Sequence, residues 1–387
     1  MSLPQPVVED GVVPEPVLPD YRGPNLAGVV PALAMAPGRR PEWVPAPVAG
    51  ARQVVLFVID GLGWLQLQER GHLAPTLAAM TGGPITSVVP TTTATALTSL
   101  TVGAPPAAHG LVGYRFVVPG PTGEEVLNVL RWRTPSGDAK EFAVPEIVQP
   151  LTPFGGRAVP IVSNRQYAGS PFSKAHQRDT PLAGVWMPSS LVVEVRRLLA
   201  AGEPFVYVYY EGLDKVAHFH GFGEHYEAEL VTVDRLVADL LDVLPAGGAL
   251  AVTADHGMVE VGPRAKTLAP GIMEGVSLLS GEARFRWLHS RHGTAGARHL
   301  AQAVAGTYGS EAWVVSREQV EDEGWFGGPF RPEVRARLGD VALVPHEPVA
   351  YLDPADKLDS RLVGRHGSVT PEEMLVPLIG QQGRLGL

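Results

Sequence analysis

The 387-residue chain contains no cysteine, which excludes disulfide bonds, thiolate metal ligands and a cysteine nucleophile. It also lacks an apolar run of about 18 residues, so no membrane-spanning helix is predicted. Basic residues are few, since 31 Lys and Arg stand against 40 Asp and Glu, for a net charge of −9. This balance argues against a nucleic acid duplex as a partner. A small anionic substrate stays compatible because a bound dication can reverse the field locally.

The opening segment, MSLPQPVVEDGVVPEPVLPDY, has neither the basic region nor the long apolar region of a signal peptide. We therefore expect no secretory signal and a cytoplasmic location. Residues 1–50 are rich in proline and are predicted to form an extended strap on the core, with one short helix near 25–36. The 45% hydrophobic content is enough for a sizeable core, and nothing in the sequence fixes an oligomeric state.

Strand-like and helix-like segments alternate along the middle of the chain. Strands are predicted at 53–59, 85–89, 158–163, 204–210 and 249–254, and helices at 63–70, 74–80, 93–102, 188–201 (with Ser189 or Ser190 as N-cap) and 223–244. This order predicts an α/β fold with a mainly parallel, doubly wound sheet flanked by helices. The pattern changes at 262–360, which predicts a small α+β cap insertion. The catalytic core is then 51–261 together with 361–387.

Two apolar runs end on side chains that bind metals. VVLFVIDG ends on Asp60, and ALAVTADHG ends on Asp255 and His256. In open α/β sheets, ligands bind at the carboxyl edge of the strands, so these side chains are expected to meet in one crevice. Adjacent residues reach one ion only through a turn, which Gly257 is suited to supply. The alternative for Asp255 is a helix cap.

Two later segments offer further ligands. In EGLDKVAHFHG, Asp214 and His218 are four residues apart and share one face of a helix, whereas His220 points elsewhere. A surface ion pair is the alternative for this pair. GRHGSVTPEEM contains His366, although a lone histidine is more often structural. Three carboxylates and three imidazoles fill two sites of three ligands each and suit Zn²⁺, with Mn²⁺ or Fe tolerated.

The segment PTTTATALTSLTVG, at 90–103, places three threonines where a strand gives way to a helix. Capping of the helix is one explanation. The other is catalytic, because a hydroxyl at a helix N-terminus lies beside free amides and the positive end of the helix dipole. A nearby dication would lower the pKa of such a hydroxyl and make it a nucleophile.

These segments, in this order, resemble the alkaline phosphatase superfamily, and most closely its nucleotide pyrophosphatase/phosphodiesterase (type I phosphodiesterase) branch. The similar segments are VIDGLG, PTTTATALTSLTVG followed by AAHGLVGY, EGLDKVAHFHG, TADHGM and GRHGSVTPEEMLVPL, which together span about 52–379. The resemblance implies a metal-dependent hydrolase of phosphoric esters, with a small phosphorylated substrate and two divalent ions, Zn²⁺ or else Mn²⁺ or Fe. A chain without cysteine looks like a compact bacterial relative.

The resemblance also implies roles for individual residues. Thr93, ten residues before Gly103, would be the nucleophile and pass through a phospho-threonine, with Thr92 as the fallback. The metal that contacts Thr93 would be held by Asp60, Asp255 and His256, and the second metal by Asp214, His218 and His366.

The chain departs from the family where Tyr114 stands in place of the usual asparagine, and Tyr114 is expected to bind a phosphate oxygen. The nucleophile helix also lacks the Pro, Asn and aromatic cluster typical of family members that stack a nucleobase. A phosphomonoesterase, a phosphonate hydrolase, a metal-dependent phosphomutase and a binding protein with a decayed site stay open as alternatives. Lys215 is interpreted as a surface charge or a support for Asp214. One cluster is expected either to meet an anionic leaving group or to form a solvated surface: Arg284, Arg286, His289, Arg291 and His292.

Overall fold

The computed structural model describes residues 13–121, 123–356 and 359–383. The strands in chain order are β1 (Gln53–Ile59), β2 (Thr81–Thr86), β3 (Arg115–Gly120), β4 (Gly123–Asn128), β5 (Arg133–Thr134), β6 (Gly137–Asp138), β7 (Ile161–Asn164), β8 (Leu182–Val185), β9 (Phe205–Tyr210), β10 (Gly248–Thr253), β11 (Val259–Glu260), β12 (Ala265–Thr267), β13 (Val276–Glu282), β14 (Phe285–Ser290), β15 (Ala312–Ser316), β16 (Val341–Pro345), β17 (Ala350–Leu352), β18 (Gly364–Arg365) and β19 (Leu375–Gln382).

The helices are α1 (Leu26–Leu33), α2 (Ala46–Ala49), α3 (Trp64–Glu69), α4 (Pro75–Ala78), α5 (Thr93–Val102), α6 (Pro106–His109), α7 (Pro145–Val148), α8 (Pro171–Gln177), α9 (Ser189–Ala200), α10 (Gly212–His220), α11 (Glu224–Asp242), α12 (Pro270–Met273), α13 (Gly293–Tyr308), α14 (Arg317–Asp322), α15 (Pro332–Arg335) and α16 (Pro371–Met374). Short 3-10 helices cover Pro153–Gly156, Arg165–Tyr167, Gly262–Arg264 and Asp359–Arg361. Among the described residues, no helix combines the length and the apolarity needed to cross a membrane.

A seven-stranded sheet, in the order β2-β19-β10-β1-β9-β7-β8, forms the centre of the fold. The five strands from β10 to β8 run parallel, whereas β19 runs antiparallel to both of its neighbours. The apolar runs of β1 and β10 are buried along almost their whole length, as expected for strands covered by helices on both faces. The predicted α/β class with a mainly parallel sheet is confirmed.

The register of the central strands aligns their carboxyl ends. Val58 pairs with Thr253 of β10, and Ile59 pairs with Tyr210 of β9. The amide of Asp60 continues this ladder by donating to the carbonyl of Tyr210 at 2.9 Å. Residues that follow β1, β9 and β10 therefore emerge side by side at one edge of the sheet.

A second sheet, with the order β13-β14-β16-β15, is antiparallel and lies within the predicted cap insertion. Its strands and α13 bury a separate apolar cluster that includes Leu288, Val304 and Leu343. The turn between β13 and β14 reaches the edge of the main sheet where the parallel strands end, because Glu282 and Ala283 line the same cavity as Thr93. The boundaries of the predicted domains stay predictions.

Two local predictions were wrong. The second strand covers Thr81–Thr86 instead of 85–89, because Ser87 leaves the ladder and bonds elsewhere: its amide donates to the Met374 carbonyl and its hydroxyl to that of Asp255. Neither serine at the start of α9 is a side-chain cap, since Pro188 occupies the N-cap position. Residues 1–12 of the predicted strap and 384–387 of the predicted core lie outside the described residues.

Candidate active site

Carboxylates gather where the three central parallel strands end. Asp60 follows β1, Asp255 follows β10, and Asp214 lies in the first turn of α10, directly after β9. The Asp255 Oδ1 atom accepts hydrogen bonds from the amides of Gly61 (3.2 Å) and His256 (3.1 Å). The hydroxyl of Tyr209, on β9, donates to Asp60 Oδ2. Each aspartate is thus positioned by the end of a buried strand or by the helix that follows it.

Three histidines face these carboxylates through the same ring nitrogen. The Nδ1 atoms of His218, His256 and His366 lie 2.8, 3.0 and 2.7 Å from the backbone carbonyls of Gly364, Gly257 and Thr91, respectively. Because a carbonyl can only accept a hydrogen bond, each Nδ1 carries the proton. With the proton on Nδ1, the atom free to bind a metal is Nε2, the arrangement of histidines that ligate metals.

The ligand atoms form two overlapping groups. His256 Nε2 lies 3.5 Å from Asp60 Oδ1 and 3.4 Å from Asp255 Oδ2. Asp214 Oδ1 lies 3.3 Å from His218 Nε2 and 3.9 Å from His366 Nε2. The ligand atoms of Asp214, His218 and His366 lie within 4.8 Å of one another and form one group. The ligand atoms of Asp60, Asp214 and His256 meet the same limit and form the other group. Asp214 thus stands between the two groups.

The electrostatics of this cluster fit a cation. Asp60 Oδ1, Asp214 Oδ1 and Asp255 Oδ2 are buried and have no hydrogen-bond partner among the described residues. Burial, reinforced by the neighbouring aspartates, raises the pKa of the Asp60 carboxyl well above its usual range. Burial and the two other imidazoles hold the pKa of His366 well below its usual value. Buried carboxylate oxygens beside neutral imidazoles match the preferences of a divalent transition metal.

The structure separates the three threonines that precede and open α5. Thr91 is engaged with the 367–368 loop, because its hydroxyl donates to the Ser368 carbonyl (2.7 Å) and accepts from the Gly367 amide (3.0 Å). Thr92 occupies the N-cap position but makes no side-chain cap hydrogen bond. Thr93 is partly exposed, and its Oγ1 lies 3.2 Å from His256 Nε2. Among the three, the hydroxyl of Thr93 is the one that faces the cluster.

Two cavities meet at this threonine. One, of about 260 Å³, is lined by Thr93, Tyr114 and His218, together with the β13–β14 turn. The other, of about 660 Å³, extends from Asp60 and Thr93 towards Tyr167 and Phe172. Thr93, Leu130, Asp214 and Lys215 line both cavities. A phosphorus atom beside Thr93 would therefore have room for a substituent on either side.

Tyr114 lies at the wall of the smaller cavity, as the sequence predicts, but it does not act alone. Asn128, on the neighbouring strand β4, donates from Nδ2 to the Tyr114 hydroxyl at 2.6 Å. Since that hydroxyl accepts from the amide, its own hydrogen is available to the cavity. The phosphate contact predicted for Tyr114 stays a prediction.

Gly257 serves a purpose other than the predicted one. Its φ is not among the positive values, so the bend at Asp255 and His256 does not require a glycine conformation. A Cβ at this position would instead lie 2.0 Å from the carbonyl oxygen of Glu372. Gly257 therefore permits the close approach of the 372–373 backbone, which accepts the Gly257 amide at 2.8 Å.

Both expectations for the arginine cluster were wrong at its first two members. Arg284 is fully buried and pairs with Glu373 through Nε (2.8 Å) and Nη2 (2.7 Å). Arg286 is also buried and donates to the backbone carbonyls of Tyr351 and Gly281. Arg291 and His292 lie at the surface. The two buried arginines, Arg284 and Arg286, thus stabilise the predicted insertion instead of meeting solvent or a substrate.

Sequence reasoning missed two residues that position the cluster. Tyr209 lies in the predicted strand 204–210, and its register beside β1 places its side chain next to Asp60. Thr91 is one of three threonines for which the sequence indicates capping or a nucleophilic hydroxyl, whereas in the structure it holds the loop that carries His366. Lys215 lies next to Asp214 as expected, and its Nζ lies 2.8 Å from Glu211 Oε1.

The model of one protein family, described as type I phosphodiesterase / nucleotide pyrophosphatase, matches residues 54–192 and 165–369 of the chain. The chain belongs to this family. It is therefore a metal-dependent hydrolase of phosphoric ester or phosphoanhydride bonds, and the resemblance to the alkaline phosphatase superfamily is confirmed. No curated protein matches the chain.

Solved structures show the same fold at low sequence identity. Murine ectonucleotide pyrophosphatase/phosphodiesterase 5 is 17% identical with a TM-score of 0.62, over 85% of this chain and 88% of that chain. An inactive variant of that protein, with alanine in place of a threonine and in complex with AMP, is 16% identical with a TM-score of 0.63. This match covers 86% of this chain and 88% of that chain. Phosphonoacetate hydrolase from Sinorhizobium meliloti 1021, in complex with phosphonoacetate, is 20% identical with a TM-score of 0.58. This match covers 90% of this chain and 92% of that chain.

Proposed function

We propose that the chain is a phosphodiesterase or nucleotide pyrophosphatase that acts through a phospho-threonine on Thr93 at a two-metal site. The observation that carries this proposal is the position of the Thr93 hydroxyl, which opens α5 and lies 3.2 Å from His256 Nε2 beside unpartnered carboxylate oxygens. The inactive murine relative, in which an alanine replaces a threonine, supports a threonine-dependent reaction.

The residues divide into two ligand sets as follows. Asp60, Asp255 and His256 would hold the ion nearest Thr93, and Asp214, His218 and His366 would hold the other, with Asp214 close to both sets. Zn²⁺ is the ion we expect, because the ligands combine imidazole and carboxylate and exclude thiolate. When bound, the ions lower the pKa of a hydroxyl and neutralise charge on phosphoryl oxygens.

The side chains of the protein carry the reaction in two in-line steps. Thr93 Oγ1 loses its proton and bonds to phosphorus while the bond to the leaving oxygen breaks, and that oxygen takes up a proton. Water then adds to phosphorus, Thr93 Oγ1 departs and is reprotonated, and the overall reaction consumes one water. The amides of the first turn of α5 have no acceptor within the helix and would stabilise the negative charge of a phosphoryl group beside Thr93. Two displacements predict retention of configuration at phosphorus.

A diester fits the site because two cavities meet at Thr93, so that each substituent of the phosphorus has a place. A small phosphorylated ligand is also what the AMP and phosphonoacetate complexes of the similar structures contain. A phosphomonoesterase or phosphonate hydrolase on the same core is the alternative. Relative rates on bis-p-nitrophenyl phosphate, p-nitrophenyl phosphate and phosphonoacetate separate these activities, and a diester preference is expected.

The test of the nucleophile is Thr93→Ala. We expect kcat to fall by at least about a thousandfold, because the covalent step has no substitute, while metal content measured by elemental analysis stays at the wild-type level. Thr92→Ala is the matched control and should keep most of the activity. A Thr93→Ala enzyme that turns over at the wild-type rate would refute the phospho-threonine.

A further inference from the structure

We propose that Lys215 is a specificity-determining residue. When substrate binds, Lys215 leaves Glu211 and binds a second anionic group of the substrate. The chain would then favour anhydrides and charged-arm diesters over diesters with two uncharged arms. This inference rests on the proposed function, because it assumes that phosphorus reacts beside Thr93.

The position of Lys215 is the first argument. This residue lies in the first half of α10, next to Asp214, and lines both cavities that meet at Thr93. It also lines a third cavity, of about 200 Å³, beside Trp186 and Met187. Its side chain is 52% exposed, so the ammonium group can reach a ligand from any of these spaces. An anionic group attached to the reacting phosphorus would therefore come within range of this cation.

The second argument is that Glu211 keeps hydrogen-bond donors when Lys215 leaves it. Its Nζ lies 2.8 Å from Glu211 Oε1, in an i,i+4 pair whose acidic partner is largely buried. The same oxygen also accepts from Asn164 Nδ2 at 3.0 Å and from Gln166 Nε2 at 3.4 Å. Glu211 thus keeps two donors when the lysine departs, so the exchange leaves no buried carboxylate oxygen without a partner.

The charge of the site supplies the third argument. Three aspartates balance three of the four charges of two dications, and a diester anion balances the fourth. A further negative group of the substrate is then not balanced by the ions, and it competes with Glu211 for the nearest exposed cation. Lys215 is an exposed cation at the junction of the cavities, and its charge is at present neutralised by Glu211. An anion that takes over Nζ forms a charge-assisted hydrogen bond in a partly enclosed space, where such bonds are strong.

The experiment compares two substrates that share one nucleoside and one product. Thymidine 5′-monophosphate p-nitrophenyl ester carries one negative charge and an uncharged leaving arm, whereas dTTP carries further phosphates on the leaving side. Attack at the first phosphorus of either one consumes water and yields dTMP, which chromatography quantifies. The readout is kcat/KM for each substrate at fixed metal concentration, in wild type, Lys215→Met, Lys215→Arg, Glu211→Gln and Lys140→Met.

We expect Lys215→Met to lower kcat/KM for dTTP by roughly ten- to a hundredfold, the effect of losing one charge-assisted hydrogen bond, and to change that for the ester by less than about threefold. Lys215→Arg should recover most of the dTTP activity. Lys140 is the matched control because it forms a 2.9 Å surface pair with Asp138 in the β5–β6 hairpin. Its replacement should leave both substrates unchanged.

Glu211→Gln decides between substrate binding and a purely structural pair. If the pair only stabilises α10, losing either partner has the same effect, and Glu211→Gln resembles Lys215→Met. If Lys215 binds the substrate, freeing it maintains or raises the preference for dTTP. Equal losses on both substrates in Lys215→Met, or a wild-type enzyme that cleaves the ester but not dTTP, would overturn this inference alone. A wild-type enzyme inert on both substrates would overturn the proposed function.

Discussion

The buried pair between Arg284 and Glu373 gives the sharpest prediction about stability. All three nitrogens of the guanidinium group donate: Nε and Nη2 to Glu373, Nη1 to the carbonyls of Glu347 and Val349, and Nη2 also to that of Pro345. Both side chains are fully buried. Arg284→Met therefore leaves the buried Glu373 carboxylate without a cation, with only the neutral donors Ser368 N and Thr370 Oγ1, and removes one donor from each of three carbonyl oxygens.

The expected cost follows from removing one partner of a buried ion pair, which destabilises proteins by about 3–5 kcal/mol. With an unfolding entropy of about 2.1 cal/mol/K per residue over 387 residues, this corresponds to a fall in Tm of about 4–6 °C. Differential scanning calorimetry at one pH and one metal concentration measures it. The double variant Arg284→Met/Glu373→Met should recover part of the loss, because no unpaired charge is then buried.

Arg291→Met is the matched control. Arg291 is an exposed arginine of the same insertion and donates to the carbonyls of Val276 (2.7 Å) and Glu274 (3.2 Å), with no carboxylate partner in these bonds. Its loss should cost less than about 1 kcal/mol, or about 1 °C. If Arg284→Met melts within 1 °C of wild type, or no lower than Arg291→Met, the buried pair does not stabilise the fold as reasoned.

Two further predictions concern the site and the helix that carries Thr93. Tyr209→Phe removes the donor to Asp60 and should weaken metal binding by about ten- to a hundredfold in a chelator competition. Tyr207→Phe is the control on the same strand, because it removes a buried hydroxyl with no partner among the described residues and should leave metal binding unchanged. If both variants weaken metal binding equally, Tyr209 does not have the proposed role. His109 accepts from the Leu111 amide and contacts Ser99 of α5, and burial with the charge of Arg337 lowers its pKa to about 3. Below pH 6.5, His109 gains a proton in the unfolded state but stays neutral in the folded state until about pH 3. The free energy of unfolding therefore falls as the pH drops, by on the order of 3 kcal/mol at pH 4. In His109→Gln, the free energy of unfolding measured by urea denaturation should depend less on pH between 6.5 and 4. A pH dependence equal to that of the wild type would refute this role of His109.

The sequence predicted the parts of the site that local pattern determines. Asp60 and Asp255 each follow an apolar run, and the rule that parallel strands expose their carboxyl ends at one edge predicts that they lie close together. The helical spacing of Asp214 and His218 was equally local. For the same reason the central strands were predicted within a few residues of their observed ends. The roles implied for these residues stay predictions.

The remaining features depend on contacts between distant segments. Arg284 and Glu373 are 89 positions apart, so nothing near Arg284 distinguishes a buried cation from a solvated one. Gly257 looked like a turn residue because its neighbours suggest one, but the Glu372 backbone decides its identity. The second strand was placed four residues late because Ser87 follows an apolar pattern while its hydrogen bonds lie outside the sheet.

These distant contacts also link the predicted insertion to the segment that precedes Thr93. Glu373, held by Arg284, accepts from the Ser368 amide at 2.9 Å, and Thr91 bonds both to the Ser368 carbonyl and to the Gly367 amide. Buried hydrogen bonds therefore run without a break from the β13–β14 turn to the residue two positions before Thr93. Opening that turn would break a buried ion pair and displace His366, whose Nδ1 is fixed by the Thr91 carbonyl. The β13–β14 turn is therefore tied by buried hydrogen bonds to Thr91 and to the loop that carries His366.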